Sequence, residues 1–146
     1  MRVFDIVESV VDAVLAHCRA ALPDEACGLI GGKGDVALSC YPVRNVAANP
    51  RSGFVGHPGD QREALCRIEE AGQRLLAVYH SHPRTSPVPS RADLAEAPSL
   101  DVLMLIVGLM RPAAPQIRVY RIHPQRRLAA EVRWRLIRAP RSRVHC

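Results

Sequence analysis

The segment Leu75-Leu76-Ala77-Val78-Tyr79-His80 is almost wholly apolar and runs into Ser81-His82-Pro83. A strand that is apolar on both faces suits the interior of a sheet that is covered on both sides. That points to a sheet flanked by helices rather than one open to water. Side chains two apart on a strand share a side, so His80 and His82 can present two imidazoles to one point. Their place at the end of a buried strand leaves both rings little freedom to lose.

The rest of the chain supplies the partners. Ile6–Leu22 reads as an amphipathic helix, with Ile6, Val7, Val10, Val11, Val14 and Leu15 at helical spacing, closed by Pro23 and Asp24. Cys27–Gly32 and Val36–Val43 read as a hairpin around Gly31-Gly32-Lys33-Gly34. Asn45–Gly56 lacks periodicity and reads as a loop, and Pro58–Gln73 as a second helix. After a proline-containing loop, Arg84–Pro89, comes a short helix, Ser90–Glu96. Val102–Gly108, Ile117–Ile122 and Leu128–Leu136 supply three further strands, the last alternating Val132, Trp134 and Leu136 with Arg133 and Arg135. The sum predicts an α/β fold, a single domain with a mixed central β-sheet flanked by helices, over residues 1–138, followed by a basic tail, 139–146.

Length and composition fit that outline. With 146 residues and 48% hydrophobic content, the chain can bury one core of ordinary size. Met1–Val14 mixes charges among its apolar residues and does not read as a signal peptide. The longest apolar run, Val102–Met110, falls short of the roughly 20 residues that span a bilayer. The expectation is a cytoplasmic protein without a membrane partner. Cys18, Cys27, Cys40, Cys66 and Cys146 are scattered, odd in number and without a C-x-x-C pair. They read as reduced thiols, with a single internal disulfide as the alternative that distances would decide. The net charge of +6 rests on arginine, Lys33 being the only lysine. The arginines at 133, 135, 138, 141 and 143 have only Trp134 among them for stacking, so they read as a solvated strand face and tail; a nucleic-acid partner is not expected.

Chemistry concentrates in His80-Ser81-His82-Pro83 and the segment that follows. Asp93 returns after a loop, in the first turn of a short helix. Two imidazole nitrogens and one carboxylate oxygen form a hydrolytic zinc set that leaves a fourth tetrahedral position for water. Zinc lowers the pKa of such a water to about 7, and a base must still carry its proton to the leaving amine. Glu25 is the candidate, at the junction of the first helix and first strand, and Gly28 would permit close backbone approach there. Asp24 is its rival, and spacing does not choose between the two. Ser90-Arg91-Ala92-Asp93 also reads as a capping box. His17, His57, His123 and His145 have no partners at ligand spacing and read as structural; Cys27 reads as a small buried residue rather than a nucleophile.

The pattern as a whole is H-x-H-P, six residues, then S-x-x-D, with a glutamate at the end of the first helix. It resembles the motif of the JAMM (MPN-plus) metallopeptidases, and the segments Pro23–Gly32 and Leu75–Pro83 resemble small stand-alone bacterial members. The resemblance implies a JAMM/MPN, cytidine-deaminase-like fold. It implies one Zn2+ per chain held by His80, His82 and Asp93, Glu25 as general base and proton donor to the leaving amine, and Ser90 as a hydrogen-bond donor to the oxyanion. The implied substrate is the C-terminal tail of a ubiquitin-like or sulfur-carrier protein, trimmed to its diglycine end. The segment Asn49–Gly59 departs most from the bacterial pattern and leaves the substrate open. A deubiquitinase-like isopeptidase or general endopeptidase is the alternative within the enzyme class, and a non-catalytic MPN interaction domain the alternative outside it.

Overall fold

The computed structural model describes residues 3–97, 99–123 and 125–138. Among these, strand β1 (Phe4–Val7) leads into helix α1 (Glu8–Ala21), and β2 (Cys27–Lys33) and β3 (Val36–Val43) follow. After α2 (Pro58–Glu70) come β4 (Arg74–His82), α3 (Arg91–Glu96), β5 (Leu103–Gly108), β6 (Gln116–His123), β7 (Leu128–Val132) and β8 (Trp134–Ile137). The strands make one mixed sheet in the order β7-β6-β5-β4-β2-β3-β1-β8.

β4 lies inside the sheet, parallel to β5 and antiparallel to β2, as its two apolar faces require. Its side chains serve two compartments. Ala77 and Tyr79 join the cluster that α1 covers with Val10, Val11, Val14 and Cys18. On the other face, Val78 packs with Cys27, Leu29 and Val43 beneath Ala64 and Ile68 of α2. Met104 and Ile106 of β5 pack with Tyr120, Ile122 and Leu94 of α3. Helix α1 therefore covers one face, and α2 and α3 share the other. His80 and His82 have the parity of Val78 and open onto that shared face.

Two glycines make this geometry feasible. Gly34 turns the β2–β3 hairpin at φ 58°, where a side chain is strained. Gly28 pairs with Tyr79, and a Cβ there would lie 2.3 Å from the Tyr79 ring. The expected close backbone approach at Gly28 is thus an approach to a packed aromatic ring.

Two expected elements are redrawn. The helix expected over Ile6–Leu22 begins only at Glu8, because Phe4–Val7 pairs as a parallel strand with both β3 and β8. The single strand expected over Leu128–Leu136 is two strands. Val132 pairs with Val119 of β6, whereas Trp134 pairs with Phe4 of β1, and Arg133 alone separates them. The sheet therefore curls until its two edges adjoin, and the Trp134 indole donates to the Ile117 carbonyl of β6 at 3.1 Å. Leu136, which alternates with Arg133 and Arg135, is 45% exposed. Cys18, Cys27, Cys40 and Cys66 are free thiols, as expected. Cys146 and the basic tail, 139–146, lie outside the described residues. No helix among them is long and apolar enough to cross a membrane.

Candidate metal centre

His80 and His82 close β4, and Asp93 occupies the first turn of α3. The local sequence holds Asp93 firmly. Ser90 Oγ accepts the Asp93 N–H at 3.1 Å, and Asp93 Oδ2 accepts the Ser90 N–H at 2.9 Å. The capping box and the convergence with the histidines are thus both present, and the first orients the carboxylate for the second.

The three donor atoms form a nearly equilateral triangle. His80 Nε2 lies 3.2 Å from His82 Nε2 and 3.1 Å from Asp93 Oδ2, and His82 Nε2 lies 3.2 Å from the same oxygen. Ligands about 2.0–2.1 Å from a tetrahedral zinc stand about 3.3–3.4 Å apart, so the triangle has the size that a zinc ion demands. Its charge points the same way. The Ser86 carbonyl can only accept a hydrogen bond, so His82 Nδ1, at 2.9 Å from it, carries the proton. A neutral His82 then turns a bare nitrogen lone pair toward a carboxylate oxygen. Only a cation between them, proton or metal, removes that conflict. His80 is fully buried and its Nδ1 has no hydrogen-bond partner.

Glu25 sits beside this triangle, one of its oxygens within 4.8 Å of a His80 and a His82 nitrogen. It is buried while Asp24 is half-exposed. Burial pushes the Glu25 carboxyl up to about 7; the charge of His82 works against this and that of Asp93 adds to it. Burial would also raise Asp93, but hydrogen bonds that His80 and His82 donate when protonated outweigh it and hold the carboxyl well below the usual range. Burial lowers His80. Burial also opposes the charge on His82, yet the Asp93 and Ser86 hydrogen bonds and the two carboxylates raise it on balance. Ser90 lines the same groove, and with a lone pair given to the Asp93 N–H its hydroxyl proton is free to donate outward.

Three residues that hold the site together were invisible to motif spacing. Ser81, between the two histidines, points to the opposite face, accepts the Ala26 N–H on Oγ at 2.9 Å and donates its own N–H to the Ala26 carbonyl at 3.1 Å. This fastens the Glu25 segment to the histidine strand. Asn45 donates to the Glu25 carbonyl at 2.9 Å and the Gly53 carbonyl at 3.0 Å, while the Glu25 N–H donates to the Pro50 carbonyl at 2.8 Å. Phe54, carried on that loop, stacks on the His80 ring with centroids 4.5 Å apart. The one sequence signal for Ser81 was its β parity, and the loop residues gave none. Of the histidines read as structural, His17 bonds the Tyr79 hydroxyl at 2.6 Å and His57 caps α2; neither joins the centre. Cys27 is buried, which pushes its thiol up to about 11 and makes it a poor nucleophile.

Over the centre runs an open groove of about 800 Å³. One wall is the 45–56 loop, with Arg51 and Phe54; the other is the segment from Pro83 to Glu96. A curled mixed sheet with this donor set at a groove, and a buried carboxylate beside it, defines a metal-dependent hydrolase of the JAMM type. The chain belongs to the family described as prokaryotic homologs of the JAB domain, which matches residues 7–123. It is 32% identical over 114 residues to a CysO-cysteine peptidase of Mycobacterium tuberculosis, covering 77% of each chain. Over 92 residues it is 38% identical to a desampylase of Haloferax volcanii, covering 59% of this chain and 66% of that one. The solution structure of protein DSY2949 from Desulfitobacterium hafniense superposes with a TM-score of 0.83 at 30% identity, over 97% of this chain and 98% of that one.

Proposed function

We propose that this chain is a cytoplasmic zinc peptidase that hydrolyses a peptide or isopeptide bond at the C-terminal tail of a ubiquitin-like or sulfur-carrier protein. The observation that carries the proposal is the triangle of His80 Nε2, His82 Nε2 and Asp93 Oδ2, with the Glu25 carboxylate buried beside it. Relatives named as a CysO-cysteine peptidase and a desampylase support the substrate class. Four free thiols support the reducing compartment.

In this reading His80, His82 and Asp93 are the ligands. A zinc ion held there would supply a Lewis acid and would lower the pKa of a bound water. Glu25 takes a proton from the attacking water and gives it to the leaving nitrogen as the C–N bond breaks. The hydroxyl is thus added to the acyl carbon and the proton to the amine. Ser90 donates its hydroxyl proton to the carbonyl oxygen as negative charge gathers on it, a kind of contact worth roughly 3–4 kcal/mol in the transition state. Phe54 keeps water from the outer face of His80, and Asn45 holds the loop that carries it.

The test is intact-mass analysis of carriers bearing a C-terminal cysteine or short extension. Zinc-loaded wild type is expected to trim them to the diglycine end, and both chelation and Glu25→Gln are expected to abolish trimming. Trimming that survives Glu25→Gln would refute the role assigned to Glu25, and no trimming with zinc bound would remove the carrier as substrate.

A further inference from the structure

Two arginines stand in the groove with no hydrogen-bond or ion-pair partner among the described residues, Arg51 on the loop wall and Arg84 on the opposite wall. Elsewhere in the fold, Arg44, Arg67 and Arg135 are paired with Asp60, Glu63 and Asp5. Both free cations are also tied closely to the centre. Arg51 follows Pro50, whose carbonyl accepts the Glu25 N–H at 2.8 Å. Arg84 is two residues beyond His82, a backbone span of at most about 7 Å. Among the acids of the lining, Glu25 and Asp93 belong to the metal centre and Glu96 remains. With Asp93 assigned to the ion and Glu25 to the base beside it, two cations and Glu96 remain in the lining.

An arginine fork matches a carboxylate and is seldom left idle in a cleft that binds chain. A tail that ends one or two residues past the cleaved bond carries its terminal carboxylate within about 7 Å of that bond, in the groove that both side chains line. An isopeptide-linked lysine has chain at that distance and no carboxylate. Resting on the peptidase reading above, we propose that Arg51 and Arg84 form a subsite for the free C-terminal carboxylate of the released residue. They are specificity residues, and they direct the enzyme to short linear tails over isopeptide conjugates.

The test separates binding from turnover. Zinc-loaded Glu25→Gln protein is titrated with fluorescent tail peptides ending in diglycine-cysteine, as the free acid and as the C-terminal amide, and with a diglycine-lysine isopeptide. The free acid is expected to bind about 10-fold more tightly than the other two, the scale of a charge-assisted contact. Adding Arg84→Ala or Arg51→Ala is expected to shrink that ratio at least about fivefold, with melting temperature unchanged because both side chains are exposed. Equal binding of acid and amide, or equal weakening of both by the substitutions, would overturn the subsite. Turnover of the same peptides by zinc-loaded wild type reads the peptidase assignment separately. Turnover without acid preference removes the subsite alone; acid preference without turnover upholds the subsite and removes the peptidase.

Discussion

Ser81 and Ala26 exchange two hydrogen bonds, Ala26 N–H to Ser81 Oγ at 2.9 Å and Ser81 N–H to the Ala26 carbonyl at 3.1 Å. Ser81 separates His80 from His82, and Ala26 follows Glu25, so this pair sets how far the carboxylate stands from the imidazoles. Removing the hydroxyl leaves a buried N–H without an acceptor, at a cost of about 1–3 kcal/mol. Ser81→Ala is therefore expected to retain zinc and near-wild-type KM while kcat falls by about 10-fold or more, since misplacement by about an ångström is costly. Ser81→Thr, which keeps the acceptor, should recover most of the loss. Zinc content and steady-state kinetics of the two variants check this. An unchanged kcat in Ser81→Ala would show that the pair positions nothing.

Asp93 both caps α3 and faces the histidines, and one substitution separates the roles. Asn at this position can still accept the Ser90 N–H, so Asp93→Asn should keep the helix cap while lowering zinc affinity. Losing an outer-shell partner already costs about 10–100-fold, so the drop for a ligand should exceed about 100-fold. Competition titration against a chelator measures it, and circular dichroism checks that the fold survives.

Gly28 tests the packing beneath the site. A Cβ there would meet the hydroxyl end of the Tyr79 ring at 2.3 Å, the end that His17 holds by a hydrogen bond. Gly28→Ala is expected to destabilise the fold by roughly 1–3 kcal/mol, the range of an overpacked core. Urea denaturation provides the number.

The metal-free protein should show a distinctive pH dependence. Burial first, with Asp93 adding and His82 opposing, raises the Glu25 carboxyl from 4.5 to about 7. A raised folded pKa means that the folded chain holds this proton more tightly than the unfolded one. Its stabilisation is therefore complete below the unfolded value and is lost as pH rises through about 7. Between about pH 5 and pH 8, Glu25→Gln should gain stability relative to wild type, by at most about 3 kcal/mol. Denaturation of the two metal-free proteins across that range checks the sign. Parallel pH profiles would show that Glu25 does not titrate high.

Much of this is legible in the sequence. The apolar run Leu75–Tyr79 announced an interior strand, and β parity put His80 and His82 on one side. Asp93 was legible with its cap because S-x-x-D is a local pattern. What escaped depended on contacts distant in sequence. Phe4–Val7 has apolar residues that fit a helix and a strand equally, and only pairing with β3 and β8 decides for the strand. Nothing near Arg133 marks a break in alternation, since the break exists only because the two edges of the sheet adjoin there. Spacing does not tell Glu25 from Asp24, which differ in burial. Asn45 and Phe54 sit in a loop without periodicity, and their work is to fasten that loop to Glu25 and His80.

The central claim is that Asp93 completes the ligand set and leaves Glu25 free to act as base, although Glu25 also stands within 4.8 Å of both histidines. Anomalous diffraction at the zinc edge, from crystals of the zinc-loaded protein, tests it directly. One peak is expected, coordinated by His80 Nε2, His82 Nε2 and Asp93 Oδ2, with the Glu25 carboxylate outside bonding distance. A peak ligated by Glu25 in place of Asp93, or no peak at this site, would contradict the account.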